Sequence, residues 1–372
     1  MFPRRLPNRI LSFAKIAKKP FHPPWLSRVR AKPTDQMGYS RAEIIEMLRT
    51  EGAEFDALIA RAAAVRRDTV GESVYLRGLV EYSNVCRKNC LYCGIRRDNR
   101  TVGRYTLTRD EVLDAARHAW VSCYGSVVLQ GGEVTAPQHI GTIAALVRDI
   151  KALSNGELGI TLSLGEQSAD TYRLWREAGA HRYLLRIESS TPSLYARIHP
   201  ADGLHRYDER LRALHDLRAT GYQVGTGVMI GLPGQSVEHL ADDLLFMRDI
   251  DIDMCGMGPY VECDRTPLAD AGGSPWPLAE RFTMTLRMIA VLRLLMPDIN
   301  IAATTALQAI DPEGRLRGIG AGANVIMPNI TPDAVRGSYR LYNGKPLSLD
   351  SRVIERCVAY GVWGDSLRFK KR

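Results

Sequence analysis

Cys86, Cys90 and Cys93 stand within eight residues, in the run Asn84-Val-Cys-Arg-Lys-Asn-Cys-Leu-Tyr-Cys-Gly94. Thiolates at this C-x3-C-x2-C spacing can take three corners of a cuboidal 4Fe-4S cluster and leave the fourth iron without a protein ligand. An iron with an open position can bind a substrate or a cofactor. The same thiols could hold a structural zinc, or lie buried as small apolar groups. Zinc calls for a fourth Cys or His nearby, and none lies between Tyr82 and Tyr105.

Other polar residues recur at the ends of short β-rich runs. Gln130-Gly-Gly-Glu133 closes one run, and its two glycines let backbone approach a ligand closely or make a plain tight turn. Thr161 and Ser163 alternate with leucines and share one face of a strand. Arg186 and Glu188 share a face in the same way. Charges turned into an interior are costly unless paired or bound. These two either pair with each other or hold a charged, zwitterionic cofactor.

The elements that must position these residues alternate strand with helix from Gly38 onward. Ser40-Arg-Ala-Glu43 has the form of a capping box and opens one or two helices. Strands are predicted over 74–82, 126–130, 158–164, 182–188, 222–230, 252–260, 300–305 and 323–327. Helices are predicted over 108–122, 139–153, 168–178, 237–249 and 281–296. Eight such units predict an α/β fold, a parallel (β/α)8 TIM-type barrel, over an open doubly wound sheet. Barrel chemistry sits at the carboxyl ends of the strands, where all these polar groups fall.

The chain has 372 residues, 45% of them hydrophobic, enough for one barrel-sized domain. No apolar run approaches the ~20 residues a membrane span requires. Seven cysteines, three crowded together, do not form a secreted disulfide framework. Cys123, Cys255, Cys263 and Cys357 read as buried small side chains. A reducing cytoplasm is expected. The formal charge of +9 belongs to the first 34 residues, which hold nine Lys or Arg and no acid, leaving 41 basic against 41 acidic residues in the body. A neutral body argues against nucleic acid as a partner. Residues 1–37 read as a basic extension, either a transit peptide that would make the protein organellar, a membrane-surface anchor or the product of an upstream start codon. Residues 38–345 read as the barrel and 346–372 as a C-terminal segment.

The cysteine run resembles the signature of the radical S-adenosylmethionine enzymes. Glu81 to Asn99, Thr161-Leu-Ser-Leu-Gly-Glu166, Arg182-Tyr-Leu-Leu-Arg186, Gly231-Leu-Pro-Gly-Gln235, Ala303-Thr-Thr-Ala306 and Gly322-Ala-Asn-Val-Ile-Met-Pro-Asn329 are similar, within that group, to the FeFe-hydrogenase H-cluster maturases of the HydE family. Biotin synthase and methylornithine synthase are more loosely similar. The resemblance implies a 4Fe-4S cluster on Cys86, Cys90 and Cys93, with S-adenosylmethionine chelating the open iron. It implies Tyr92 against the adenine, Gly132 and Glu133 at the methionine amino group, and Ser163, Arg186, Glu188 and Arg210 around the carboxylate and ribose. Met229, Thr304, Thr305, Met327 and Tyr339 would line the substrate cavity. The implied reaction is reductive cleavage of the cofactor to methionine and a 5'-deoxyadenosyl radical. The implied substrate is a cysteine-bound iron complex bearing carbon monoxide and cyanide. The implied partners are ferredoxin or flavodoxin and the sibling maturases.

Two departures bear on this. Ile187 stands where the maturases often have His, which implies an altered polar contact in the cavity. Only Cys357 remains near the carboxyl end, which implies no accessory cluster. A different radical enzyme acting on a small amino-acid-like substrate, or a non-enzymatic iron-sulfur carrier, are the other readings. Anaerobically reconstituted protein is expected to carry about four irons per chain, and Cys90→Ala to lose them by iron assay and EPR. Stoichiometric zinc without iron would contradict the cluster.

Overall fold

The computed structural model describes residues 38–347. The basic extension, Cys357 and the C-terminal segment past Leu347 lie outside the described residues. Ten strands form: β1 (Tyr75–Ser83), β2 (Ser126–Gly131), β3 (Gly159–Ser163), β4 (Arg182–Leu184), β5 (Gln223–Thr226), β6 (Met229–Ile230), β7 (Met254–Cys255), β8 (Gly258–Pro259), β9 (Asn300–Ile301) and β10 (Val325–Ile326). Eight of them make one sheet in the order β10-β1-β2-β3-β4-β5-β7-β9, and every pairing is parallel. The edges meet at a parallel bridge between Ala302 and Val325, with Ala303 N donating to Val325 O at 2.9 Å. The sheet therefore closes into the expected barrel.

Each strand is buried on both faces, as a parallel sheet inside a shell of helices requires. In β1, Leu76, Val80 and Tyr82 pack into the shell, while Leu79 and Glu81 face the interior. β3 places Ile160 and Leu162 outward, and Thr161 and Ser163 inward. The capping box at Ser40 and Glu43 forms and opens helix Arg41–Leu48, followed by helix Gly52–Val70. Helix Val237–Asp249 spans the expected residues, and helices Arg109–Val121, Pro137–Leu153, Ala169–Glu177 and Leu278–Leu295 fall within three residues of theirs.

Two expected strands split. Residues 222–230 form β5 and β6, and 252–260 form β7 and β8. The break lies where Gly227 meets Gly256: a Cβ at Gly227 would sit 2.1 Å from the Gly256 carbonyl oxygen. The strands pinch together there, and β6 pairs with β8 in a separate two-stranded rim.

Ile187 does not alter a polar contact in the cavity, contrary to expectation. Strand alternation turns Ile187 away from the cavity into the core of the shell, where it is fully buried. Arg186 and Glu188 face inward on either side of it. Ile187 makes no cavity contact, so the residue type there does not select a substrate directly. Ile187→His is expected to destabilise the fold by about 1–3 kcal/mol, since it would move an imidazole from water into an apolar cluster. A lowered melting temperature with unchanged iron loading would show it.

Candidate functional site

Each of the fifteen residues singled out from the sequence lines one cavity of about 310 Å3 at the carboxyl ends of the strands. The cysteine loop leaves β1 and is fastened on both sides. Asn84 Nδ2 donates to Gly103 O at 2.8 Å and to Ser338 O at 2.9 Å. The Arg104 guanidinium donates to the carbonyls of Asn84, Ile95, Arg96 and Asn99 at 2.6 to 3.0 Å. Cys86 Sγ accepts from Glu133 N at 3.3 Å. Burial raises all three thiol pKa values, that of Cys90 to about 12; neighbouring cysteines add to it at Cys90 and Cys93, and Glu133 at Cys86. A cluster bound here must displace those protons.

These residues fit an iron-sulfur cluster and a polar cofactor. The three thiols open on one cavity from a single loop, and among the described residues no three His, Cys, Asp or Glu side chains converge on a single ion position. Gly132 lies so close to the loop that a Cβ would sit 2.2 Å from Val85 O and 2.7 Å from Cys86 Cβ. The β2 backbone can therefore press against the cysteine loop only with glycine there. On another part of the wall, the Thr304 hydroxyl is buried without a hydrogen-bond partner.

A chain of buried charges runs from the cysteine loop across the strand ends. The Glu133 carboxylate lies 2.8 Å from Arg87 Nε and 3.5 Å from Lys88 Nζ, and accepts from Glu166 N at 2.7 Å. Glu166 in turn pairs with Lys88 Nζ at 2.7 Å and with Arg210 Nε. Burial alone would raise the Glu166 carboxyl, yet the facing Arg210 and Lys88 charges outweigh it and hold it below its ordinary value. Arg210 stands on helix Tyr207–Ala219 and also donates to the Arg186 carbonyl. Lys88 and Glu166 are functional candidates that the sequence reading did not single out. Their positions, between two cysteines and just past a strand end, were the available signal.

Arg186 and Glu188 form a two-point ion pair, with both N–O distances 2.9 Å. The two charges thus pair with each other on the cavity wall itself. Glu188 adopts a left-handed backbone at φ 64°, a strained conformation for a residue with a side chain. It is held by backbone bonds from Glu188 N to Gly227 O at 3.0 Å and from Met229 N to Glu188 O at 3.1 Å. Met229 lies in β6, Met327 follows β10, Thr304 immediately precedes helix Thr305–Ile310 without a side-chain cap bond, and the Thr305 hydroxyl accepts from Arg315 at 3.3 Å. Cys255 and Cys263 are buried as expected, while Cys123 is exposed, a correction explained by its place on the solvent side of the turn after helix Arg109–Val121.

Residues 80–247 match the radical SAM superfamily. With the three-cysteine loop at the mouth of a parallel barrel, the chain belongs to that superfamily and is an enzyme that uses a 4Fe-4S cluster and S-adenosylmethionine. Within it, the chain is 45% identical over 291 residues to the [FeFe] hydrogenase maturase subunit HydE of Thermotoga maritima, covering 78% of this chain and 80% of that one, and it falls in that family. It is 26% identical over 289 residues to the 3-methylornithine synthase of Methanosarcina acetivorans, covering 76% of each. The crystal structure of methylornithine synthase (PylB) superposes with a TM-score of 0.73 at 24% identity, over 86% of this chain and 92% of that one, which shows the shared fold.

The loop after Glu188 depends on a buried carboxylate. Asp243 accepts from Ser190 N and Ser190 Oγ, both at 2.6 Å, and burial raises its pKa to about 7. A carboxyl raised in the folded state favours folding most at low pH and loses that contribution as pH rises from about 4 to about 7. Asp243→Asn is therefore expected to raise the melting temperature relative to wild type at pH 8 and to raise it much less at pH 5. Equal shifts at both pH values would contradict the assignment.

Proposed function

We propose that the chain is a maturation enzyme for the diiron site of an FeFe hydrogenase. The observation that carries this is the 45% identity to a HydE subunit over four fifths of that protein, against 26% to a methylornithine synthase. The convergence of all fifteen candidate residues on one cavity supports it. Cys86, Cys90 and Cys93 would hold the cluster. When bound and reduced by one electron, the cofactor at that cluster supplies a 5'-deoxyadenosyl radical.

The chain's own residues bind, orient and exclude water. Tyr92 would pack on the adenine, and Gly132 and Glu133 would take the methionine amino group. Ser163, Arg186, Glu188 and Arg210 would hold the carboxylate and ribose, with Glu166 and Lys88 fixing Arg210. Glu188 would exchange part of its bond with Arg186 for a ribose hydroxyl, which its forced backbone aims into the cavity. Met229, Thr304, Thr305, Met327 and Tyr339 would surround the substrate, a cysteine-bound iron complex with carbon monoxide and cyanide. Ferredoxin or flavodoxin would deliver the electron in a reducing cytoplasm, and sibling maturases would supply the substrate and receive the product.

The test replaces HydE with this protein in a reconstituted maturation mixture. Active hydrogenase is expected, and Arg210→Met is expected to weaken S-adenosylmethionine binding by about 1–3 kcal/mol at unchanged iron content, because a buried charged hydrogen bond is lost. Cofactor cleavage without any hydrogenase activation would instead favour a small amino-acid substrate, as in the methylornithine synthase relative.

A further inference from the structure

The β1 side of the cavity carries a second buried ion pair. Glu81, on the inward face of β1, pairs through Oε1 with Lys345 Nζ, and its Oε2 accepts from Asn329 Nδ2 at 3.1 Å. Lys345 also donates to the Tyr339 carbonyl at 2.8 Å and lies 5.0 Å from the centre of the Tyr339 ring. The Tyr339 hydroxyl accepts from Gln130 Nε2 at 3.3 Å. Glu81, Gln130, Tyr339 and Lys345 all line the cavity.

The chain that carries Lys345 is also fastened at other points. That stretch is already held by Gly94 N to Leu341 O at 3.2 Å, by Asn343 N to Glu262 O at 2.8 Å and by Asn343 Nδ2 to Asp264 Oδ1 at 2.7 Å. A buried ion pair is seldom more stabilising than apolar packing of the same volume, so its place on a cavity wall calls for another use. An ammonium has three donors, and two of those on Lys345 are engaged. The third is left for whatever fills the cavity. The unpartnered Thr304 hydroxyl, more than nine-tenths buried on the same cavity, is a further group awaiting a polar ligand.

We propose that Lys345 and Glu81 recognise an amino-acid-type substrate, Lys345 binding its carboxylate and Glu81 its ammonium. This rests on the reading that Arg186, Glu188 and Arg210 form the cofactor's wall, which leaves the β1 wall to the substrate. A zwitterion brings each buried charge a second counter-charge and leaves the net charge of the cavity unchanged. Burial raises the Glu81 carboxyl and lowers the Lys345 ammonium, and the added counter-charges offset both effects. The proposal extends to any substrate that presents a free amino-acid end, including one attached to a metal complex.

The test uses anaerobic holoenzyme carrying cluster and S-adenosylmethionine, titrated with S-methyl-L-cysteine and with 2-(methylthio)ethylamine, which lacks only the carboxylate. Neither probe has a free thiol to attack the cluster. Wild type is expected to bind the amino acid at least about tenfold more tightly than the amine, the scale of one charged hydrogen bond. Lys345→Met is expected to abolish that preference and Lys345→Arg to keep part of it. Since Lys345→Met strands the Glu81 charge, the double variant Glu81→Gln with Lys345→Met is measured beside it, and it too is expected to lose the preference while retaining iron and cofactor affinity. No preference in wild type, or a preference that survives in both Met-containing variants, overturns the proposal. Loss of iron or of cofactor affinity in the double variant overturns it as well, because it marks the pair as a structural tie. Failure of the cofactor-wall reading registers separately, as cofactor affinity that is unmoved by Arg210→Met.

Discussion

The organisation of this site depends on one constraint: charges placed inside a barrel must face other charges. Lys88 sits between two of the three cysteines, and its ammonium is shared by Glu133 after β2 and Glu166 after β3. Glu166 then reaches Arg210 on the helix before β5. The cysteine loop is thereby joined to two neighbouring strand ends and to helix Tyr207–Ala219 through ion pairs that solvent screens weakly. Lys88 is the shared member: without it Glu133 would keep Arg87 and Glu166 would keep Arg210, and the link between the cysteine loop and Arg210 would be lost. A cluster site and a cofactor wall built separately would have no such common geometry.

The period of two along each strand carries the constraint into the sequence. Inward residues of β1, β3 and the β4 segment are Glu81, Thr161, Ser163, Arg186 and Glu188; outward ones are Val80, Ile160, Leu162 and Ile187. Polar groups at alternate positions in otherwise apolar strands therefore marked the cavity face before any coordinates, and the barrel followed from counting such strands. The same rule removes Ile187 from the cavity, since a residue flanked by two inward side chains must face the shell. Strand alternation fixes the direction of this side chain whatever residue type similar chains carry there.

What the sequence did not disclose are partners fixed by closure of the ring. Glu81 and Lys345 are separated by 264 positions in the chain, and Arg210 and Glu166 by 44. No local pattern couples them. Arg186 and Glu188 lie two apart, so their ion pair was readable as one of two outcomes, and burial against the Val228 and Gly256 carbonyls favours it. The split of the fifth and sixth units into paired short strands was also hidden, because it arises from the contact between Gly227 and Gly256, residues in different strands.

The two ion pairs on the cavity wall differ in a way that bears on selectivity. Arg186 is engaged by both Glu188 oxygens and by two carbonyls, so that wall is crowded with acceptors and accommodates a ligand by exchanging bonds. Lys345 has a carboxylate, a carbonyl and a ring for neighbours, with a donor remaining, so that wall accommodates a ligand by addition. Exchange suits a cofactor that brings its own ammonium, carboxylate and hydroxyls and must be held in one orientation. Addition suits a substrate that arrives afterwards, because it leaves the existing bonds of the wall in place. A radical enzyme benefits from that order: the cofactor's wall is completed first, and the substrate then fills the remaining space and excludes water from the reacting centre.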